Sequence, residues 1–237
     1  MSNSYQSRWR ELVRAGHVNL LRRIRRWGSQ PMIRDENSAE HSFLVATHAV
    51  ALANLLGTQG VKLDFGALVA SALLHDTEES ITGDVPKYMK ADMLLDSSNH
   101  SVASKAFSQV AAQLNIAGSQ DVQDWLEDWF RRHKDLEEVE GMVIALCDLS
   151  ASQSVICEEV ALGNQFSAQV LQKDCQYYLK KFVRELDDLR EDRKGQEAHK
   201  NWILAAGIIS LMAEALLVPS NGDTNRLHQG EGNGKRD

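Results

Sequence analysis

Cysteine is scarce in this chain of 237 residues: Cys147, Cys157 and Cys175 are an odd number without CxxC spacing. They offer no disulfide framework, and with no apolar leader at the N-terminus the expected compartment is a reducing cytoplasm. Proline is limited to Pro31, Pro86 and Pro219, too few turn formers for a β-rich chain. The longest apolar stretch, Trp202 to Val218, contains Ser210 and Glu214 and falls short of the ~20 residues of a membrane span, so a buried helix explains it better and no membrane partner is expected. Positive charge is in deficit, with 26 lysines and arginines against 33 acids and a formal net charge of −7. That field opposes coating a nucleic acid but leaves room for a local basic pocket that takes a small anion.

What is present is an ordinary globular balance, 43% hydrophobic and 25% charged, enough apolar material for a sizeable core. At roughly 150 residues per domain the length allows one domain with a small appendage. Apolar positions recur at three and four residues, as in Val45, Leu52, Leu55 and Leu56 or Val143, Leu146 and Leu149, and alternation is not sustained; an all-α fold follows. Helices are expected over Ser7–Trp27, Ala39–Leu56, Asp64–Ser80, Val85–Met93, Ser98–Leu114, Ser119–Arg132, Glu137–Leu162, Phe166–Asp188 and Glu197–Leu217. Residues 1–219 form a single helical domain on this reading, and residues 220–237, with Gly222, Gly230, Gly232 and Gly234 among polar residues, a flexible tail that cannot offset its own ordering entropy.

Three places carry chemistry. His75-Asp76 closes an apolar helix with Glu79 four residues after the histidine, a spacing that lets them share a face. Imidazole with carboxylate suits manganese, iron, cobalt or zinc, although a His-Asp dipeptide alone also fits a capped surface pair. His41 shares the stripe of Val45 and Leu52 and so faces inward. Asp148 interrupts the apolar run Ala145-Leu146-Cys147-Asp148-Leu149, and an inward carboxylate needs a partner against its desolvation cost. His48 lies seven residues after His41, about 10.5 Å along a helix, too far to share an ion; it reads as a core histidine. Asn37 or Ser38 can cap the helix that His41 opens, Gly83 reads as a turn that swings Asp84 back, and Trp125, Trp129 and Trp202 read as packing residues.

A lone His, a His-Asp dipeptide and a distant Asp on separate helices resemble the pattern of the HD-domain metal-dependent phosphohydrolases, matched in order by His41, His75-Asp76 and Asp148. Within that superfamily the chain is most similar to bacterial 5′-deoxynucleotidases and to related phage enzymes that strip triphosphate from dATP, through Arg26-Trp27, Arg34, Glu36-Asn37, Glu40-His41-Ser42, His75-Asp76 with Glu79, Thr82-Gly83-Asp84 with Pro86 and Lys90, and Asp148. The resemblance implies an HD-domain helical bundle and a divalent ion (cobalt, manganese, zinc or magnesium) on His41, His75, Asp76 and Asp148. Four protein ligands leave coordination positions open, as catalysis requires. It further implies that Glu79 and Asp84 stand beside the metal as acid–base groups, that Arg26 forks onto phosphate while Trp27 packs on the sugar, and that Arg34 and Lys90 line the substrate site. The implied reaction cleaves O5′–P of a 2′-deoxynucleotide in a homodimeric or higher homo-oligomeric enzyme. Monophosphate is favoured; Lys87, where the family has Thr, would suit β- and γ-phosphates and keeps a triphosphohydrolase as the alternative. A non-catalytic nucleotide-binding relative is the rival from another class, against which all the ligands and both flanking acids are intact.

Overall fold

The computed structural model describes residues 3–85, 102–132 and 135–217. Helix α1 (Asn3–Ala15) and a 3₁₀ segment (His17–Arg23) lead into α2 (Ser38–Thr58), α3 (Phe65–Leu74) and the short α4 (Glu79–Thr82). Then follow α5 (Val102–Leu114), α6 (Gln120–Arg132), α7 (Val139–Ala161), α8 (Gln165–Asp192), a 3₁₀ turn (Glu197–His199) and α9 (Lys200–Leu217).

Helix α7 is the axis of the bundle, packed against α2, α3, α8 and α9. It is buried nearly all round, from Val139 through Met142, Ile144, Leu146 and Leu149 to Ile156, which is why its sequence shows an apolar run rather than one stripe. On α2, the small residues Ala46, Ala49 and Ala53 are buried between Val45 and Leu56, allowing close approach to α7. The caps are local: the Asn37 side chain accepts from the amides of Ala39 and Glu40 at the start of α2, and Asp64 accepts from Ala67 at the start of α3. A second cluster, Phe107, Ala111, Leu126 and Phe130, joins α5 to α6, with the Phe107 and Phe130 rings stacked at 3.9 Å.

Two expected helices are broken, and both breaks build the site. The run expected over Ser7–Trp27 ends at Ala15, because Gly16 is extended (φ −60°, ψ 137°) and approaches so closely that a Cβ there would stand 2.5 Å from the Leu12 carbonyl oxygen. The Asn19 side chain then donates to the Leu12 and Val13 carbonyls, satisfying helix-end acceptors that a further turn would have used. The run expected over Asp64–Ser80 stops at Leu74, where Thr77 Oγ1 donates to the Leu74 carbonyl and His75 Nδ1 bonds that of Ala72. The backbone tightens to three-residue turns through Glu79 and Ser80. The remaining helices fall within a few residues of expectation, except that Val85–Met93 lies largely, and the 220–237 tail wholly, outside the described residues. Trp202 is buried and donates to the Leu136 carbonyl, whereas Trp125 is half-exposed beside Trp129. Helix α9 buries one face and leaves Leu204, Leu211 and Met212 exposed, so the buried helix expected there is buried on one side only.

Gly83 ends α4 at φ 74°, ψ 170°, a region essentially reserved for glycine. An added Cβ would meet nothing within 4 Å, so strain rather than crowding sets the cost of substitution. Gly83→Ala should lower stability by about 1–3 kcal/mol, measured as a shift of the urea midpoint; an unchanged midpoint would show that this turn is not constrained.

Candidate active site

Residues 24–26 and 36–38 form a short antiparallel ribbon. Ser38 N–H donates to the Ile24 carbonyl at 3.0 Å and Arg26 N–H to that of Glu36 at 2.9 Å, with Arg25 and Asn37 bridged. Extended backbone alternates its side chains. One face carries the exposed Arg25–Asp35 ion pair. The other presents Arg26, Glu36 and Ser38 to the turn between α3 and α4. There Ser38 Oγ donates to Glu79 Oε2 at 2.8 Å, so Asn37 alone caps α2.

Helices α2, α3 and α7 bring their predicted ligands together. The candidate donor atoms of His41, His75 and Asp148 all lie within 4.8 Å of one another. His41 is fully buried, and its Nε2 is 3.0 Å from Asp148 Oδ1 and 3.7 Å from Asp76 Oδ2. His75 Nε2 is 3.1 Å from the same Asp76 oxygen. A carbonyl can only accept, so His75 Nδ1, 2.8 Å from Ala72 O, carries the ring proton and leaves Nε2 its lone pair for a cation. Asp148 is 27% exposed, placing it at the rim rather than deep in the core as the sequence suggested. His48 is half-buried and outside this group.

Arg26 closes the group from the ribbon side, its Nη1 3.0 Å from Asp76 Oδ2 and 3.7 Å from Glu79 Oε2. Burial opposes the guanidinium charge, but Asp76, Glu79, Asp148 and Glu36 together raise its pKa above the ordinary value. One guanidinium offsets only one of those four negative charges. The imidazoles register the excess: burial and Arg26 oppose protonation of His41, yet Asp148 and Glu36 raise its pKa. Burial is the largest influence on His75 and opposes its charge, yet Asp76, Asp148 and the Ala72 carbonyl together raise its pKa to about 9. A mixed nitrogen and oxygen donor set with surplus negative charge fits a divalent transition metal. Cys147 lies outside this group of donor atoms, and burial, and then Asp148, push its thiol up to about 12.

Trp27 borders this centre in a left-handed conformation, φ 59°, rare for a bulky residue. Its amide donates to Asp84 Oδ2 at 3.3 Å and its indole Nε1 to Glu36 Oε2 at 2.8 Å. Asp84 is thus adjacent to the Arg26-Trp27 pair. Arg34 is not drawn into the cluster: its half-exposed guanidinium pairs with Glu158, and its amide, with that of Ile33, donates to the buried Glu159. Lys87 and Lys90 lie outside the described residues.

Sequence reasoning missed two acids here. Glu36 stood in the family pattern without a role, and nothing local marks it as a hub. Glu159 left a signal of the kind that exposed Asp148, since it follows Ile156 by one helical step on the buried face of α7.

A family model described as 5′-deoxynucleotidase YfbR-like matches residues 15–188. The 5′-deoxynucleotidase YfbR of Salmonella arizonae is 30% identical over 155 residues, covering 62% of this chain and 73% of that protein. A 5′-deoxynucleotidase of Klebsiella pneumoniae is 29% identical over 153 residues, with the same coverage of 62% and 73%. Among solved structures, an HD-domain phosphohydrolase from Listeria innocua aligns with a TM-score of 0.53 and 18% identity over 84% of this chain and 95% of that one. A protein described as a predicted metal-dependent phosphohydrolase from Magnetospirillum magnetotacticum aligns with a TM-score of 0.55 and 17% identity over 91% and 94%. These structural likenesses establish the shared all-α HD fold.

Glu159 supplies a pH test of the strap that holds residues 31–34 against the α7–α8 turn. Burial works against its ionised form, but the amides of Arg34 and Ile33 and the Asn164 side chain outweigh burial and lower its pKa. A depressed carboxylate contributes stability that is complete above the unfolded-state value and is lost as pH falls through the native one. Wild type should therefore exceed Glu159→Gln in stability at pH 7 and converge with it on acidification below about pH 4. A stability gap that stays constant from pH 7 to pH 3 in urea titrations would contradict this.

Proposed function

Because the chain belongs to the 5′-deoxynucleotidase YfbR-like family, we propose that it hydrolyses the O5′–P bond of 2′-deoxyribonucleoside 5′-monophosphates, releasing a deoxynucleoside and orthophosphate. The observation that carries this reading is the placement of the buried Arg26 guanidinium, 3.0 Å from Asp76, directly against the His41, His75 and Asp148 group. A phosphate held between a cation and a guanidinium has its charge met on both sides.

His41, His75, Asp76 and Asp148 would hold the ion, which supplies Lewis-acid polarisation of the phosphoryl group and a more acidic water. Arg26 offers planar donors that match phosphate oxygens. Trp27 sets an apolar ring beside the sugar, and its anchors on Glu36 and Asp84 hold it there. Glu79, buried and bonded to Ser38, suits the role of base, orienting the attacking water and accepting its proton. Asp84 stands on the Trp27 side, where it can deliver a proton to the departing O5′. The water oxygen bonds to phosphorus as the P–O5′ bond breaks, and the proton supplied to O5′ completes the nucleoside.

Nothing among the described residues favours a triphosphate, whose case rested on Lys87. Purified protein supplied with manganese or cobalt should release orthophosphate and deoxyadenosine from dAMP; triphosphate released from dATP instead would overturn the assignment. Asp76→Ala should lose metal and turnover together, whereas Glu79→Ala and Asp84→Ala should keep the metal and lose about 10²–10⁴-fold in kcat. Full metal occupancy in Asp76→Ala, by elemental analysis, would remove it from the ligand set.

We assign the protein to the cytoplasm as a homodimer. The exposed Leu204, Leu211 and Met212 of α9 are the apolar surface that a second copy would cover. Light scattering at micromolar concentration should give twice the 26.5 kDa chain mass; a monomeric mass would contradict the assignment.

A further inference from the structure

We infer that Glu36 is a positioning residue that locks the substrate-contacting pair Arg26-Trp27 to the metal ligand His41, a role that rests on the phosphohydrolase reading of the site. Glu36 is buried, 5% exposed, and its two carboxylate oxygens face different partners. Oε2 accepts from Trp27 Nε1 at 2.8 Å and lies 3.5 Å from Arg26 Nε. Oε1 lies 3.7 Å from His41 Nδ1. Its backbone carbonyl accepts the Arg26 amide at 2.9 Å, so one residue hydrogen-bonds the Arg26 backbone and the indole and sets its charge beside the guanidinium and the imidazole.

Glu36 stands on the far side of His41 from the ion. The Nε2 edge of that ring faces Asp148 and Asp76, and the Nδ1 edge faces Glu36. It is therefore placed to orient a ligand rather than to be one, the arrangement by which outer carboxylates fix the ring angle and tautomer of a ligating histidine. Trp27 holds a left-handed backbone that persists only where its surroundings over-determine it. Glu36 at the indole and Asp84 at the amide supply that constraint. A neutral side chain could close the ribbon without the desolvation penalty of a buried carboxylate, so the negative charge is explained by what it orders around it.

The test compares Glu36→Gln, which keeps volume and an acceptor for the indole but not the charge, with Glu36→Ala. Cobalt affinity is titrated without substrate, and KM and kcat for dAMP are measured at saturating cobalt. Glu36→Ala should weaken cobalt binding about 10–100-fold and raise KM about tenfold, an order-of-magnitude expectation for a misplaced contact, while kcat at saturation falls by less than that factor. Glu36→Gln should show the same signature at smaller amplitude. Wild-type cobalt affinity and KM in both variants would overturn the inference. So would loss of kcat alone, which would make Glu36 a reacting group, or a Glu36→Gln variant that fails to fold, which would make it structural. Should wild type not hydrolyse dAMP at all, the function reading fails, while the cobalt titration still decides whether Glu36 orders His41.

Discussion

Removing the Arg26 guanidinium from water would be prohibitive without the carboxylates of Asp76, Glu79, Asp148 and Glu36 around it, and those carboxylates could not gather in a largely buried site without positive charge among them. Arg26 meets part of that demand, and the raised pKa values of the two imidazoles register what remains. A divalent cation would meet it with a fixed double charge held by His41 and His75 in their neutral, ligating form. The cluster is thus charge-balanced only as a whole, with Asp148 as its most exposed member.

The backbone around the cluster follows from what each side chain must reach. Arg26 and Glu36 come from opposite strands of one ribbon, His41 from the first turn of α2, Asp76 and Glu79 from tight turns after α3, and Asp148 from the middle of α7. Continuous helices through residues 16 or 75 would rotate these groups apart. Gly16 and the side-chain bonds of His75 and Thr77 break the helices where the site needs them broken. At the other end of the loop, Glu159 gathers the amides of Ile33 and Arg34, so residues 27–35 are tied at both ends and the Trp27 ring is carried on a loop with little freedom.

The all-α class and most helix spans were legible because burial writes itself into sequence as three- and four-residue periodicity. Asp148 was legible for the opposite reason, as a charge where periodicity demands an apolar residue. The break at Gly16 was not, and that at His75 only in part, since His75-Asp76 reads as the close of an apolar helix while the expected span runs on to Ser80; extended backbone at Gly16 and the competition of Asn19, Thr77 and His75 for carbonyls end the helices. Glu36 lies in an extended segment too short for a pattern, and its partners, Trp27 and His41, become visible only once the ribbon closes. The family pattern places Arg34 with substrate, and in the structure its guanidinium lies against Glu158, a pairing that no local pattern announces.

X-ray absorption on the cobalt-loaded protein tests the central claim most directly, since it reads the atoms around the ion without reference to any substrate. Two imidazole rings on separate helices with carboxylate oxygens completing the shell, at about 2.0–2.2 Å, is the result this account requires. Sulfur in the shell, which would come from Cys147 beside Asp148, or a single imidazole, would contradict it.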